Sequence, residues 1–244
     1  RYAMEHDYMD TNFRSMYLGL SAFMNANQDR KDLLLGVRKP GFDETLLTQN
    51  ASFIDDFERV ATKAMAAKDY FLLVGPPGTG KTSRALRRMV EKFHRCPDTQ
   101  ILLLAYTNRA VDEICSSISA ISPEIDYIRI GSELSCDERY REHLVENELA
   151  ALERRKDVRS RLSACRVYVG TVASVSSRTE IFKLKHFDVA IIDEASQIVE
   201  SQLLWILSVK NPEGKNAVDK FVLIGDHKQL PAVVLQNERD SEVY

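Results

Sequence analysis

The spacing of apolar residues in the first part of the chain has the period of an α-helix. Over residues 12–27, apolar side chains recur three and four positions apart, which predicts an amphipathic helix. The same spacing predicts a second helix over residues 52–67. Residues 28–50 carry charges, Pro40 and two glycines, so we expect them to form a connection between the two helices.

From residue 70 onward the pattern changes to short apolar runs that alternate with helical segments. Five runs are predicted to be buried strands, at residues 70–74, 101–105, 167–169, 189–192 and 221–224. Helices are predicted between them, at residues 81–94, 110–120 and 199–207. Regular alternation of strands and helices predicts an α/β fold in which helices cover both faces of a parallel sheet.

Residues 122–165 interrupt this alternation. The segment is rich in charge, and a helix is predicted over residues 148–161. Its basic residues are interleaved with acidic ones, which favours a solvated helix face over a phosphate-binding surface. We therefore expect a helical subdomain inserted into the α/β domain.

Composition limits the classes of protein to which the chain can belong. Hydrophobic residues make up 44% of its 244 residues, which is enough for a buried core. The formal net charge is −3, so contact with nucleic acid would need a local groove rather than overall attraction. The four cysteines form no C-x-x-C pair, which argues against zinc or iron–sulfur ligation. No apolar run could cross a membrane and no signal peptide is visible, so we expect a cytoplasmic, intracellular protein.

A glycine-rich segment follows the first predicted strand. Residues 75–82 (Gly-Pro-Pro-Gly-Thr-Gly-Lys-Thr) match the P-loop pattern G-x-x-x-x-G-K-[ST] between a strand and a helix. Its glycines let backbone N–H groups surround an anion, and the following helix adds the positive end of its dipole. Lys81 would reach the β- and γ-phosphates of a nucleoside triphosphate, and the Thr82 hydroxyl would bind Mg²⁺. The residues predicted to contact the nucleotide are Gly75, Pro76, Pro77, Gly78, Thr79, Gly80, Lys81, Thr82 and Ser83.

An acidic pair follows the predicted strand at residues 189–192. Open parallel sheets bind their ligands at the carboxyl ends of the strands, where Asp193 and Glu194 lie. Asp193 would hold Mg²⁺ through its water shell, and Glu194 would orient and deprotonate an attacking water. The pair could instead cap the helix that follows, but the P-loop earlier in the chain favours the catalytic interpretation.

Four segments together resemble superfamily 1 helicases. Two of them are specific to that family: residues 193–197 (Asp-Glu-Ala-Ser-Gln) and residues 225–231 (Gly-Asp-His-Lys-Gln-Leu-Pro). Residues 106–112 (Tyr-Thr-Asn-Arg-Ala-Val-Asp) and 170–174 (Gly-Thr-Val-Ala-Ser) resemble two strand-binding motifs of the family. The four segments are most similar to the Upf-like branch, which includes the nonsense-mediated-decay helicase and the Okazaki-fragment nuclease-helicase.

The resemblance implies a RecA-like motor domain that uses ATP and Mg²⁺ to move 5′ to 3′ along single-stranded nucleic acid, with DNA favoured over RNA. Its implied catalytic residues are Lys81, Asp193, Glu194 and Gln229, and Gln229 would link hydrolysis to the bound strand. The residues implied to hold the sugar–phosphate backbone are Thr107, Asn108, Thr171 and Ser174. Short hydroxyl and amide groups are suited to phosphate contacts that are independent of base sequence.

The family pattern also divides the chain. Residues 1–50 correspond to an N-terminal helical stalk segment with its connection, and residues 51–244 to the first RecA-like motor domain, with residues 122–165 inserted. A second motor domain, C-terminal in the same polypeptide, is expected to complete the nucleotide cleft and supply arginine fingers. Because such an arginine contributes about 10³- to 10⁵-fold to the rate in related systems, we expect little hydrolysis and no unwinding from this chain alone.

The sequence departs from the family pattern ahead of the P-loop. Members usually carry a glutamine there that recognises adenine, whereas this chain has Phe57 at the corresponding position and Gln49 earlier. A different class, a P-loop ATPase switch that recruits a protein partner, would explain the P-loop and the acidic pair but not residues 229–231. A kinase acting on a small molecule is disfavoured because Glu194 is placed to activate water.

Overall fold

The computed structural model of the chain describes residues 10–48, 53–121, 124–226 and 228. Within these residues, six strands form one sheet in which every pairing is parallel. The strands are β1 (Tyr70–Val74), β2 (Ile101–Ala105), β3 (Tyr127–Ile130), β4 (Val167–Thr171), β5 (Phe187–Ile192) and β6 (Val218–Gly225). They lie in the order β1-β6-β5-β2-β4-β3, so β6 separates β1 from β5. The parallel sheet confirms the predicted α/β, RecA-like fold class.

Helices precede the sheet and connect its strands. Before β1 lie α1 (Asp10–Met24), α2 (Gln28–Leu34), α3 (Glu44–Thr48) and α4 (Asp56–Ala66). After it lie α5 (Arg87–Arg95), α6 (Asn108–Ser119), α7 (Val145–Ala150), α8 (Arg155–Ala164), α9 (Val172–Ser176), α10 (Ile181–Leu184) and α11 (Glu200–Ser208). The five helices predicted outside the inserted segment are confirmed as α1, α4, α5, α6 and α11, with their ends shifted by a few residues. None of the helices in the described ranges is long and apolar enough to span a membrane.

Hydrophobic cores lie on both faces of the sheet, as β2 shows. Ile101, Leu103 and Ala105 point toward one face and pack with side chains of α4, α5 and α6. Leu102 and Leu104 point to the other face and pack with α9, α10 and α11. Successive side chains of a strand alternate between faces, so a strand covered on both sides must be apolar at every position. This explains why β2 appears in the sequence as an unbroken apolar run.

The prediction that β1 is a buried strand is correct for the strand and wrong for its burial. β1 lies at the edge of the sheet, and Leu72 and Val74 are 55% and 58% exposed. An apolar run predicts a strand, but it does not show which strands will be neighbours. Strand order depends on pairing between segments that are far apart in the chain.

The connection predicted over residues 28–50 contains two short helices, α2 and α3, and is attached to the sheet by two arginines. Arg30 is buried, and its guanidinium donates to the first carbonyl of β6 at 2.8 Å and lies 4.9 Å from the Phe221 ring. Arg38 pairs with Asp69 at 2.7 Å, just before β1 begins. The segment is therefore packed onto the domain instead of forming a simple linker.

The insertion expected over residues 122–165 is only partly helical. Residues 127–130 form β3, which pairs with β4 and so belongs to the main sheet. The helix predicted over residues 148–161 is in fact two helices, α7 and α8, with a break at residues 151–154. Arg161 of α8 pairs with Glu148 of α7 at 3.0 Å and thereby joins the two helices.

β3 escapes prediction because its sequence, Tyr-Ile-Arg-Ile, contains a charge. Arg129 is nevertheless buried, and its guanidinium pairs with Asp112 of α6 and lies 3.8 Å from the Cys115 sulfur. A buried charge is tolerated when it is paired and hydrogen-bonded. The partner of Arg129 lies 17 residues earlier in the chain, so the sequence pattern gave no sign of it.

Helix α1 packs closely against α11. A Cβ atom built on Gly19 would lie 1.7 Å from the carbonyl oxygen of Ser201, which only a glycine avoids. Gln202 also donates to the Ser15 hydroxyl at 3.0 Å. The N-terminal helix is thus docked onto the domain, and its role as the end of a stalk stays a prediction.

Gly19→Ala is expected to destabilise the protein by about 1–3 kcal/mol, because the added methyl group forces α1 away from α11. Thermal unfolding would measure the loss, and limited proteolysis would show earlier cleavage within α1. Gly131→Ala is the matched control, since its Cβ would meet nothing closer than a Leu144 methyl at 4.0 Å. Equal melting temperatures for wild type and Gly19→Ala would contradict the close packing.

Candidate nucleotide-binding site

The P-loop connects β1 to the following helix through a tight turn. Gly78 and Gly80 have φ angles of 75° and 80°, which side chains with a Cβ rarely adopt. The Lys81 ammonium donates to the carbonyls of Gly75 at 2.5 Å and Pro76 at 2.9 Å, so it lies across the mouth of the loop. A cation held there is placed to meet the phosphates of a nucleotide that enters the loop.

The helix after the P-loop begins with a widened turn, Lys81–Leu86, before continuing as α5. The N–H groups of Arg84 and Ala85 both donate to the Gly80 carbonyl, at 3.0 and 2.9 Å. The N–H groups of the preceding residues have no carbonyl within the helix to bind, as at any helix start. They point toward the loop together with the positive end of the helix dipole, which forms an anion site.

Thr82 and Asp193 meet across the sheet, although 111 residues separate them in sequence. The Thr82 hydroxyl donates to Asp193 Oδ2 at 2.5 Å. Asp193 is 2% exposed, and burial raises the pKa of its carboxyl group, while the Thr82 hydroxyl and the Glu194 N–H act in the opposite direction. Two oxygen ligands side by side, one of them a buried carboxylate, have the chemistry that Mg²⁺ needs. The residues present therefore fit the predicted magnesium site.

Asp193→Asn is expected to raise the melting temperature of the ligand-free protein near pH 7 by about 2–4 °C, the shift given by 1 kcal/mol in a domain of this size. The pKa of Asp193 is higher in the folded than in the unfolded state, so its ionised form destabilises the fold above that raised pKa. This destabilisation disappears as the pH falls below the pKa of Asp193 in the unfolded state, because the carboxyl group is then protonated in both the folded and the unfolded protein.

Thermal unfolding of the wild type and Asp193→Asn between about pH 7 and pH 4 tests this expectation. The difference between the two melting temperatures should become smaller as the pH falls. Asp157→Asn, at an exposed position of α8, serves as the control for the loss of one carboxylate. A stabilisation of the same size at both ends of the range would show that the Asp193 charge is not its cause.

Glu194 adopts a strained backbone conformation beside this pair. Its φ angle is 53°, and its N–H donates to Asp193 Oδ1 at 3.0 Å. Its side chain is half-buried, and the pKa of its carboxyl group is raised, first by burial and then by the negative charge of Asp193. A raised pKa makes a carboxylate a stronger base, which suits the predicted task of deprotonating water.

Two charged residues of α6 also act on Glu194, and sequence reasoning missed both. The negative charge of Glu113 raises the pKa of Glu194 and the positive charge of Arg109 lowers it. The two side chains pair with each other at 3.5 Å, one helical turn apart. Their spacing is visible in the sequence, but nothing in it shows that α6 faces the end of β5.

Gly225 and Asp226, the first two residues of the segment 225–231, contact the segment 193–197 beside the P-loop. The Gly75 N–H donates to the Gly225 carbonyl at 3.2 Å, and a Cβ on Gly225 would lie 3.0 Å from the Ser196 hydroxyl oxygen. The Ser196 hydroxyl accepts from the Asp226 N–H at 3.2 Å. Gln229 lies outside the described residues, as do Leu230 and Pro231, so its role stays a prediction.

The four residues predicted to bind the nucleic-acid strand lie at the carboxyl ends of β2 and β4, which are neighbours in the sheet. They are Thr107, Asn108, Thr171 and Ser174. Thr107 and Thr171 each cap a helix, since their hydroxyls accept from the N–H groups of Ala110 and Ser174. Thr107 is exposed and Asn108 half-buried, whereas Thr171 is buried and also donates to the Ser174 hydroxyl at 2.7 Å. Capping thus uses both threonine hydroxyls, and strand contact by these residues stays a prediction.

A parallel sheet with a P-loop after β1 and an acidic pair after β5, separated by one strand, defines a RecA-like P-loop nucleotide-binding domain. The family model described as AAA domain matches residues 53–157 and 141–237, which is more than half of the chain. The chain belongs to this AAA domain family.

Similar proteins of known function are named as helicase/nucleases. The chain is 30% identical over 240 residues to the DNA replication ATP-dependent helicase/nuclease JHS1 of Arabidopsis thaliana, a match that covers 93% of this chain and 17% of the relative. It is 32% identical over 180 residues to the DNA replication ATP-dependent helicase/nuclease DNA2 of Homo sapiens, covering 72% and 16%. The chain thus spans about one sixth of the length of these relatives. They confirm the resemblance to superfamily 1 helicases inferred from the four segments.

Among solved structures, the UvsW helicase from bacteriophage T4 overlaps with 70% of this chain and 52% of its own chain. The TM-score of that overlap is 0.45, and the sequence identity is 16%.

Proposed function

We propose that this chain is the first motor domain of an ATP-dependent helicase of the Upf-like branch of superfamily 1, which moves 5′ to 3′ along single-stranded DNA. The observation that carries the proposal is the contact between Thr82 and Asp193, with Glu194 next to it. This contact lies at the carboxyl ends of the β-strands, as do the segments predicted to bind nucleic acid. Because the chain spans only part of its relatives, the activity belongs to a longer protein.

In this proposal each residue of the site has one task. Lys81 binds the β- and γ-phosphates, and Thr82 and Asp193 hold the Mg²⁺ that neutralises phosphate charge when it is bound. Glu194 orients a water molecule and takes its proton. Gln229 connects the γ-phosphate to the bound strand, from a segment that begins at the contact between Gly225 and Ser196.

The single-stranded DNA would lie across the carboxyl ends of β2 and β4, against Thr107, Asn108 and Ser174. Thr171 would act indirectly, through the hydrogen bond by which it caps the helix that contains Ser174. β2 is the neighbour of β5 in the sheet, so the nucleic acid and the nucleotide would lie side by side at the carboxyl ends of these β-strands. DNA is favoured because the relatives are named for DNA replication, which also supports an intracellular location and a role in DNA processing such as repair. A second motor domain of the same polypeptide would close the cleft.

Unwinding of tailed duplexes by the longer protein tests this function. Duplexes with a 5′ or a 3′ single-stranded tail of DNA or RNA are incubated with ATP and Mg²⁺, and strand separation is measured. The proposal expects unwinding from 5′ DNA tails. Preferential unwinding from 3′ tails would contradict the proposed 5′ to 3′ direction. Preferential unwinding from RNA tails would contradict DNA as the substrate. ATP turnover that neither DNA nor RNA stimulates would contradict helicase function.

A further inference from the structure

A cavity of about 280 Å³ adjoins the P-loop. Its walls come from the start of α4, the end of β1 and the loop itself, including Phe57, Val60, Leu73 and Pro76. Its volume is close to the lower end of the range for small-ligand pockets, about 300–1,000 Å³, so it suits part of a nucleotide rather than the whole. Since the loop holds the phosphates, the part that reaches this cavity is the base with its ribose.

Phe57 lies in the wall of this cavity, and the guanidinium of Arg84 lies beside the Phe57 ring, next to the cavity lining. The Phe57 ring is half-buried, and the Arg84 guanidinium lies 5.6 Å from its centre, within the distance of a cation–π interaction. The alkyl part of Arg84 runs along Gly80, where a Cβ would be 3.4–3.5 Å from its carbon atoms. Within the described part of the chain no carboxylate forms an ion pair with Arg84. Aromatic rings and guanidinium planes both stack on nucleobases.

The polar side chains that line the cavity are already engaged. Thr79 donates its hydroxyl to the Pro76 carbonyl at 2.8 Å, and Lys81 is directed to the phosphate end. Asp56 pairs with Arg59 at 2.9 Å and points outward, with its side chain 84% exposed. The Phe57 side chain itself offers no hydrogen bond. The described lining therefore holds no free polar side chain aimed at the edge of a base.

We propose that Phe57 and Arg84 form a stacking site for the nucleobase and that this site does not select among bases, so the chain binds ATP, GTP, CTP and UTP alike. The inference rests on the proposed nucleotide-binding function of the same site. Every nucleobase has a π face, and stacking on it is tolerant of base identity. Strong selection between bases requires buried polar groups that the wrong base leaves unpaired, and the described residues around this cavity supply none.

Calorimetry on residues 1–244 with Mg²⁺ and each of the four nucleoside triphosphates, and with inorganic tripolyphosphate, tests the proposal. The four dissociation constants are expected to agree within about tenfold, and tripolyphosphate to bind at least about fivefold more weakly than any of them. An ATP affinity about 100-fold or more above that for GTP and CTP would overturn the inference and leave the proposed function standing. Absence of binding by all five ligands would overturn the proposed function instead.

Variants separate stacking from packing, because Phe57 also contacts the core. Phe57→Leu keeps an apolar side chain without the π face and should weaken all four nucleotides about fivefold or more, with tripolyphosphate unchanged. Arg84→Gln should act in the same direction, whereas Arg159→Gln, at an exposed position of α8, should have no effect. Lys81→Ala should instead weaken nucleotides and tripolyphosphate together. Unchanged nucleotide affinities in both Phe57→Leu and Arg84→Gln would refute the stacking site.

Phe57→Gln provides a gain-of-function test. An amide at this position could donate and accept at the edge of adenine, so the ratio of ATP to GTP affinity should rise above that of the wild type. Melting temperatures of all variants, measured without ligand, would show that each is folded. If the wild type already prefers ATP and Phe57→Gln leaves the ratio unchanged, base selection arises elsewhere and the inference is wrong.

Discussion

Joined to the second motor domain of the proposed longer protein, residues 1–244 are expected to hydrolyse ATP about 10³-fold or more faster than residues 1–244 alone, when single-stranded DNA is present. In the described structure, Lys81, Thr82, Asp193 and Glu194 lie together at the carboxyl ends of β1 and β5. Charge that develops on the transferred phosphate is stabilised best in an enclosed site with fixed cations. The second motor domain would supply the enclosure and the arginine fingers. A phosphate-release assay on both proteins measures the difference.

The assay is run without nucleic acid, with single-stranded DNA and with single-stranded RNA. Calorimetry with Mg²⁺ and ATP on both proteins is the control, because similar affinities would show that the shorter protein is folded and binds nucleotide. Full, strand-stimulated turnover by residues 1–244 would mean that the site is complete as it stands, and the two-domain proposal would have to be abandoned.

Glu194→Gln, made in the longer protein, is expected to lower the turnover of ATP by about 10²-fold or more, the scale of general-base loss. The amide keeps the size and much of the hydrogen bonding of the carboxylate but cannot accept a proton. In the wild type, burial and the charge of Asp193 raise the pKa of Glu194, which makes it a better base than an exposed glutamate. Affinity for ATP with Mg²⁺ should change little, because the proposal assigns phosphate binding to Lys81 and the loop N–H groups.

Steady-state phosphate release gives the turnover, and calorimetry gives the affinity. Glu142→Gln is the matched control, since this exposed carboxylate lies in the segment before α7, away from the site. Wild-type turnover in Glu194→Gln would show that another group activates the water. Loss of nucleotide binding together with turnover would show that Glu194 holds the site together instead.

Helix α6 connects the predicted nucleic-acid-binding segment to the proposed nucleotide site. Asn108, at the start of this helix, is predicted to contact the strand, and Glu113 of the same helix acts electrostatically on Glu194. Asp112 of α6 pairs with the buried Arg129 of β3 and so joins the helix to the sheet. The charged residues of α6 therefore connect the segment predicted to bind nucleic acid with the proposed base, Glu194.

Local sequence was sufficient wherever a structural feature depends on neighbouring residues. The P-loop pattern placed Gly78 and Gly80 where the backbone has positive φ, and it placed Lys81 at the start of a helix. Alternation of apolar runs and helices identified five of the six described strands. The acidic pair was correctly expected at the carboxyl end of a buried strand. Each of these features is encoded within about ten consecutive residues, the scale on which propensity and periodicity act.

Tertiary structure decided the features that join distant residues. The sequence by itself determined an α/β nucleotide-binding domain with its P-loop and acidic pair, and the family to which these segments point. Only the folded chain showed that β1 is an edge strand, that Arg129 is buried against Asp112, and that the Arg84 guanidinium lies beside the Phe57 ring. These features arise from side chains of different elements, and their free energies depend on burial and pairing after the sheet has assembled. A pattern in a single sequence does not specify such contacts, since it records spacing along the chain and not proximity in space.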